Sequence, residues 1–421
     1  MNWLQRYKLR TYYDGSLWIL PAIGSVAAMV AVSIMIRVDG ILGFEAKMSV
    51  DTGRMILSTI AGSMFTLVSL ACSGMLIAVQ LASGQMTPRI ISLIYKNRYG
   101  KGMLAVFIFT FTYSVALLAR IEDNIPFLST SVAAYGFLAN LALFLMFIDN
   151  LGKMLRPSAA MRNIAKTGRD VIHTVYPDLL AEGSIDPDPV KALNSVPLRV
   201  VRSNVDGAVL AFDLHGLKFI AERCDCVIEM VPEVGDYVSA GDELFRIFDG
   251  CIDLADQDLV NSVAVGPERT MEQDPKFAFR ILVDIASKAL SPGINDPTTA
   301  VSAVDQIYPL LRDVGSRNLS RGNEKGSDGK VRLVFKTPDW DDFVFLSITE
   351  IRQYGGDSIQ VKRRLRTMIE KLIDSVPELR KPHLRKELYL LECSIKRNFP
   401  DIEDQNLAAL SDPQGLGGGA D

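Results

Sequence analysis

Four long apolar segments before residue 151 constrain this chain more than any other feature of its sequence. They cover Leu17–Ile36, about Met55–Ala82, Met103–Ala119 and Phe127–Phe147. Each approaches or exceeds the ~20 residues that a helix needs to cross the ~30 Å hydrocarbon core of a bilayer. The first segment is too long for the apolar region of a signal peptide, and no A-x-A cleavage site follows it. The sequence therefore predicts a four-helix transmembrane domain over residues 1–150.

The basic residues at the ends of these segments predict how the domain lies in the membrane. Twelve Lys and Arg residues fall before the first segment, between the second and third, and after the fourth. Only four fall in the other two connections. Because short cytoplasmic connections carry an excess of Lys and Arg, we expect both termini, and everything after residue 151, to be cytoplasmic.

A polar stripe runs along the second apolar segment. On a helix its members fall within an arc of about 80°, and they are Ser58, Gly62, Thr66, Ser69, Ser73, Gln80 and Thr87. Lipid cannot satisfy polar side chains, so the stripe must face protein or water. Two interpretations stay open: close helix packing through small residues, and the wall of an aqueous path in a symmetric homo-oligomer.

The composition of the chain argues against several classes of protein. A net charge of −4 and a pI near 5.6 do not give the basic surface of a nucleic-acid-binding protein. The five cysteines are too few and too scattered for a disulfide scaffold. The three histidines show no zinc-ligand spacing. We therefore expect no nucleic-acid partner, no metal and no cofactor.

Residues 151–194 form an amphipathic, basic connector, which we interpret as a continuation of the fourth helix. The pattern changes after it. Residues 195–262 show the period of two that is typical of short strands separated by turns. The segment Val234–Leu244 resembles the turn-and-strand element of biotinyl/lipoyl-type barrel-sandwich hybrids. Lys218, the only lysine in 195–262, does not lie in a modified-lysine turn. We expect a small β-barrel that serves as a structural or gating collar and not as a carrier.

The pattern returns to helical over 263–399, and residues 400–421 read as a disordered tail. The block Arg269–Ala300 concentrates polar side chains, which are Arg269, Glu272, Asp274, Arg280, Asp284, Asn295 and Asp296. They can form a binding or catalytic site, or they can cap helices and form structural ion pairs, which we favour. A basic run is interpreted as a solvated helix face; its residues are Lys362, Arg363, Arg364 and Arg366.

Several stretches of the sequence resemble one family. Leu57–Ser63, Gln80–Arg89, Arg269–Asp274 and Ala289–Ala300 are similar to segments of the DUF2254 family of predicted bacterial membrane proteins. The resemblance covers nearly the whole chain apart from the tail. It implies a multi-pass protein of the bacterial plasma (inner) membrane, with an α-helical membrane domain and a cytoplasmic α+β region.

Two functions stay open on the sequence alone. In the first, a homo-oligomeric channel in the lipid bilayer passes small ions along the second helix, and the β-barrel forms a cytoplasmic vestibule. In the second, a membrane-anchored sensor or scaffold binds a ligand or protein partner through Arg269–Asp296. A tethered hydrolase has the least support, because the sequence contains no G-x-x-x-x-G-K-[ST], G-x-S-x-G or H-E-x-x-H motif.

Overall fold

The computed structural model describes residues 1–42, 49–122, 125–180, 196–250, 254–319 and 322–417. Two compact units divide the chain. The membrane unit is Arg10–Arg156, and the α+β unit is Met1–Leu9 together with Pro157–Asp421. The end of the predicted connector, 181–194, and the last four residues of the predicted tail lie outside the described residues.

The membrane unit consists of helices. In chain order they are α1 (Trp3–Gly15, shared with the α+β unit), α2 (Ile19–Leu42), α3 (Val50–Gln85), α4 (Ile91–Tyr95), α5 (Arg98–Leu118) and α6 (Phe127–Met154). Four of them, α2, α3, α5 and α6, are long and apolar enough to cross a membrane, which confirms the four predicted segments. With 36 residues, α3 is about 54 Å long and exceeds the ~30 Å hydrocarbon core.

Close packing and one buried carboxylate fix the arrangement of these helices. Gly24 of α2 lies against the backbone of α5, where a Cβ on residue 24 would stand 2.7 Å from the carbonyl oxygen of Ala105. At the other end of α2, the buried Asp39 carboxylate accepts hydrogen bonds from the amides of Leu128 (2.8 Å) and Ser129 (2.9 Å). These amides begin α6 and have no partner within the helix. Asp39 therefore stabilises the start of α6 and holds it beside α2.

The predicted continuation of the fourth helix into the connector is wrong in one respect. α6 ends at Met154, and a separate helix, α7 (Pro157–Val175), begins after a break. Pro157 explains the break, because proline cannot donate to a preceding turn and disfavours helical backbone in the residue before it. The amphipathic character was predicted correctly, since one face of α7 is buried, including Met161, Ile164 and Ile172.

The remaining elements belong to the α+β unit. Its strands are β1 (Arg199–Arg202), β2 (Gly207–Phe212), β3 (Val227–Met230), β4 (Tyr237–Val238), β5 (Glu243–Phe248), β6 (Val263–Gly266), β7 (Asn323–Lys325) and β8 (Val331–Phe335). Its further helices are α8 (Leu214–Arg223), α9 (Asp256–Val260), α10 (Pro275–Ala289), α11 (Pro297–Gly315), α12 (Trp340–Tyr354), α13 (Ile359–Ser375), α14 (Lys381–Asn398) and α15 (Ile402–Ala408).

The strands form two sheets. The larger has the order β1-β5-β3-β8-β7, with a parallel pair between β3 and β8 and antiparallel pairs elsewhere. The smaller is antiparallel, with the order β4-β2-β6. β6, β7 and β8 lie beyond residue 262, so the sheets are not confined to the predicted 195–262 segment. A barrel-sandwich hybrid stays a prediction that these sheets do not confirm.

The segment Val234–Leu244 forms tight turns and contributes side chains to the core. Gly235 and Gly241 have φ values of +97° and +100°, which other residues rarely adopt. Val238 and Leu244 point into the core, with exposures of 4% and 2%. Lys218 lies on α8 and not at a hairpin tip.

The predicted disordered tail is wrong as far as residue 417. α15 covers Ile402–Ala408, and the segment after it packs on α13. Asp412 is 4% exposed, and its carboxylate accepts from the amides of Gly415 (2.8 Å) and Gly417 (2.7 Å). Arg364 of α13 donates to the carbonyl oxygen of Asp412 at 2.9 Å. The Arg364–Asp412 contact joins residues 48 positions apart, so the local composition of the tail could not predict it.

Candidate functional site

The polar stripe lies on the outer surface of its own helix bundle. Six of its seven predicted members are exposed side chains or glycine positions of α3, namely Ser58, Gly62, Thr66, Ser69, Ser73 and Gln80. The opposite face of α3 is buried and apolar, with Leu57 and Met64 fully covered. The stripe therefore does not serve packing within the single chain.

Thr87 does not continue this stripe. It lies after the end of α3, at the start of a short 3-10 turn, and is only 5% exposed. Helical geometry extrapolated past Gln85 predicts its position wrongly, because the helix ends at that residue. The stripe thus runs from Ser58 to Gln80.

A second polar feature, which was not predicted from the sequence, lies inside the bundle. Asn140 of α6 is 1% exposed, and its amide donates to Thr110 Oγ1 of α5 (2.7 Å) and to the carbonyl oxygen of Gly136 (2.8 Å). The Thr110 hydroxyl donates in turn to the carbonyl oxygen of Val106 at 3.1 Å. This chain of hydrogen bonds joins α5 to α6 near the middle of both helices.

The predicted polar block of the α+β unit divides into three groups. In the first, Arg269 forms an ion pair with Asp274 (Nη2 to Oδ2, 2.6 Å). The other oxygen of Asp274 accepts from the amide of Phe277 at 3.1 Å and so caps α10. Gly235 lies directly beneath this pair, because a Cβ there would stand 2.0 Å from Arg269 Nη2. Glu272 lies between Arg269 and Asp274 in the sequence and is half-buried.

The second group is centred on Arg280 of α10. Its guanidinium donates to Asp284 Oδ1 (2.7 Å) and binds Glu350 of α12 through two parallel bonds of 2.6 and 2.7 Å. The Arg280–Asp284 contact follows from the spacing of four residues on one helix, whereas Glu350 lies 70 positions away and was not predicted. The group connects α10 to α12.

The third group begins α11. Asp296 caps this helix by accepting from the amide of Thr299 at 3.0 Å, and Pro297 occupies its first turn. Asn295 has a φ of +49°, as the tight turn before the helix requires. Asp284 follows Asp274 by about 15 Å of helical rise along α10, so the first two groups do not converge on one point. Their contacts are those of caps and ion pairs.

A partly buried charged cluster beside the first group was not predicted from the sequence. Lys276 of α10 binds Glu233 of the β3–β4 loop at 2.7 Å. Burial raises the pKa of Glu233, which Lys276 only partly offsets. Burial also raises the pKa of Tyr176 well above its usual range, and the negative charge of Glu233 adds to this. The Tyr176 hydroxyl donates to the carbonyl oxygen of Pro338 at 3.2 Å, so the cluster joins four elements of this unit.

The basic run on α13 is buried, which corrects its interpretation as a solvated face. Lys362 and Arg363 are 0% and 2% exposed, and the side chains of Arg364 and Arg366 are 17% and 14% exposed. Arg364 and Arg366 bind Asp305 and Glu392, at 2.5 and 2.8 Å. The partners come from other helices and from the folded tail, so the sequence of α13 alone did not show them.

Metal binding and thiol chemistry have little support in the described part of the chain. No group of three or more His, Cys, Asp or Glu side chains there has a geometry that could hold a metal ion. In the Cys224-x-Cys226 pair, Cys226 is 1% exposed, and burial raises the pKa of its thiol to about 11. A thiol with that pKa is unreactive at neutral pH.

A comparison with protein-family models matches residues 14–371 to DUF2254, described as a predicted membrane protein. The chain belongs to this family. Uncharacterized proteins of Mycobacterium tuberculosis H37Rv and of Mycobacterium bovis are each 25% identical to it over 424 residues, covering 95% of this chain and 80% of theirs. No solved structure matches the chain. The DUF2254 description and the four apolar helices agree on a membrane protein.

Proposed function

We propose that this DUF2254 protein is a homo-oligomeric, channel-like membrane protein in which copies of α3 surround a polar path for small ions. The observation that carries the proposal is that the stripe from Ser58 to Gln80 faces away from the bundle of its own chain. Hydrocarbon offers no hydrogen-bond partner to the hydroxyl groups of Ser58, Ser69 and Ser73 or to the amide of Gln80. A second copy of α3, or water between copies, would supply the partners.

The length of the stripe supports a path and not a single packing contact. From Ser58 to Gln80 the helix rises by about 33 Å, which matches the ~30 Å hydrocarbon core. The Thr66 hydroxyl donates to the carbonyl oxygen of Gly62 at 3.1 Å, so its lone pairs remain available as acceptors. A neutral wall of this kind suits water and cations and implies weak selectivity.

One apolar residue interrupts the path. Leu76 is 59% exposed and lies on the stripe's face by helical geometry, because it follows Ser69 by seven residues and precedes Gln80 by four. In a symmetric assembly, Leu76 side chains would form a ring. A hydrophobic ring closes a narrow pore by excluding water, so Leu76 is the proposed gate.

We also propose that both termini are cytoplasmic and that the membrane is the bacterial plasma membrane. The excess of Lys and Arg in the connections on one side supports this orientation. Labelling of single cysteines introduced near each terminus, in intact cells with a reagent that does not cross membranes, tests it. Labelling at either terminus would contradict the orientation.

Cross-linking between copies tests the assembly. In a variant with the five native cysteines replaced, Ser69→Cys or Ser73→Cys is expected to form disulfide-linked dimers on mild oxidation in native membranes. Leu81→Cys is the matched control, because Leu81 is 45% exposed on the same helix but about 100° away from the stripe. Cross-linking at Leu81 but not at the stripe, or at none of the three positions, would refute association through this face.

A further inference from the structure

The basic end of the membrane unit contains a small pocket where α5 begins and α6 ends. One part of its wall is apolar, with Met75 of α3, Phe147 and Leu151 of α6, and Leu17 from the segment between α1 and α2. The other part is polar, with Asn97, Lys101 and Asn150. A pocket with both kinds of wall, at the end of membrane-spanning helices, lies at the level of the lipid headgroups.

Lys101 gives this pocket its charge. The side chain is only 6% exposed, and its ammonium donates to the carbonyl oxygens of Asp14 (2.6 Å) and Tyr13 (3.3 Å) at the end of α1. An ammonium group has three donors, and both of these partners are uncharged carbonyls. Its positive charge is therefore bound by dipoles and not by a direct ion pair with either of them.

Two further basic side chains lie near the Lys101 ammonium. Lys96 and Arg98 lie close enough to repel the Lys101 ammonium, and Asp14 is the carboxylate that attracts it. Asp14 is itself 3.9 Å from Arg10 Nε. Asn97 caps α5, whose N-terminal end also favours an anion.

We propose that this pocket binds the phosphate of an anionic phospholipid, with the phosphate beside Lys101 and an acyl chain along the wall of Met75, Phe147 and Leu151. Charge complementarity supports an anion, and the apolar wall supports a lipid over a free phosphate. Basic pockets between membrane helices bind anionic headgroups in this way. The site is separate from the α3 stripe and does not depend on ion conduction.

Native mass spectrometry of the full-length protein in a neutral detergent tests the proposal. Dioleoyl phosphatidylglycerol, dioleoyl phosphatidylcholine and inorganic phosphate are titrated separately. We expect the wild type to bind phosphatidylglycerol about tenfold more tightly than phosphatidylcholine, and Lys101→Gln to lose at least about fivefold of that affinity. Lys153→Gln is the matched control, because Lys153 is 64% exposed and already binds Asp149 at 2.6 Å.

Two further variants decide the result if Lys101→Gln does not fold. Arg98→Gln removes an exposed charge, and Gly100→Met places a longer side chain in the pocket while retaining Lys101; a Cβ on residue 100 is 3.7 Å from Met75 Cε. Both are expected to weaken phosphatidylglycerol binding. Equal binding of the two lipids, or unchanged binding in both variants, would overturn the site. Binding of inorganic phosphate as tight as that of phosphatidylglycerol would overturn the lipid assignment.

Discussion

The buried Lys362 of α13 should make the stability of the protein depend on pH by a predictable amount. Lys362 is 0% exposed, and its ammonium donates to the carbonyl oxygen of Arg352 (2.9 Å) and to Ser394 Oγ (2.6 Å). Burial, and then repulsion by Arg352 and Arg397, lower the pKa of Lys362 from 10.5 to about 8, which Asp357 only partly offsets. Glu387 faces the same region but is bonded to Arg352 at 3.1 Å.

The sign of the pH dependence follows from this lowered pKa. Below about pH 8 the lysine is protonated in both states, and the folded state bears the whole cost of the buried charge, about 3 kcal/mol. Between about pH 8 and 10.5 the unfolded state binds more protons, so stability rises with pH. From pH 7 to pH 9.5 the lysine should add about 2 kcal/mol to the free energy of unfolding.

Lys362→Met removes this contribution. We expect the variant to be close to the wild type in stability at pH 7, because relief of the buried charge, about 3 kcal/mol, offsets two lost hydrogen bonds of a charged group, about 1.5 kcal/mol each. At pH 9.5 it should be less stable than the wild type by about 2 kcal/mol. The assay is denaturant unfolding of the full chain in detergent, followed by fluorescence, to which Trp340, 2% exposed on the neighbouring α12, contributes.

Lys371→Met is the control, because Lys371 is an exposed lysine of the same helix. Its pH dependence should equal that of the wild type. A wild type and a Lys362→Met variant with the same change in stability from pH 7 to pH 9.5 would refute the reasoning.

Three other variants test separate parts of the account. Gly235→Ala should cost at least about 2 kcal/mol in the unfolding assay, because it adds a clash with the Arg269–Asp274 pair to the strain of a positive φ. Gly241→Ala should lower the free energy of unfolding clearly less, because Gly241 has a similar φ but open space around its Cβ position. Equal losses in the two variants would refute the contribution of the clash. Glu350→Gln should lower the free energy of unfolding by about 1–3 kcal/mol. Glu378→Gln should leave it nearly unchanged, because Glu378 is 76% exposed in its ion pair with Lys381. A larger loss for Glu378→Gln than for Glu350→Gln would be inconsistent with the structure. Leu76→Ser should increase the open probability in planar bilayers, and an unchanged or lower value would exclude Leu76 as the gate.

The parts of the fold that depend on local signals were predictable. The four apolar segments, the cap at Asp296 and the turn glycines at 235 and 241 follow from hydropathy, capping preferences and backbone conformation within a few residues. The misplacement of Thr87 and of the continuous fourth helix came from extending a helix past its actual end. Both errors concern boundaries, which local patterns define poorly.

The contacts that were missed all join distant parts of the chain. Glu350 pairs with Arg280, and the tail carries Asp412 to α13, where the basic run is buried. Whether a charged side chain is solvated or buried depends on partners that only the folded chain brings together. The outward direction of the α3 stripe also could not be predicted from local sequence. Helical periodicity defines a polar face of the helix, but it does not show what that face contacts.

Single-channel recording in planar bilayers tests the central claim most directly. Purified, reconstituted wild type is compared with Ser69→Leu/Ser73→Leu, which places apolar side chains in the stripe, and with the control Leu70→Ala/Leu81→Ala on exposed positions outside it. We predict discrete currents for the wild type and the control, and none for the stripe variant at an equal degree of assembly. Currents that persist unchanged in Ser69→Leu/Ser73→Leu would contradict a conduction path along α3.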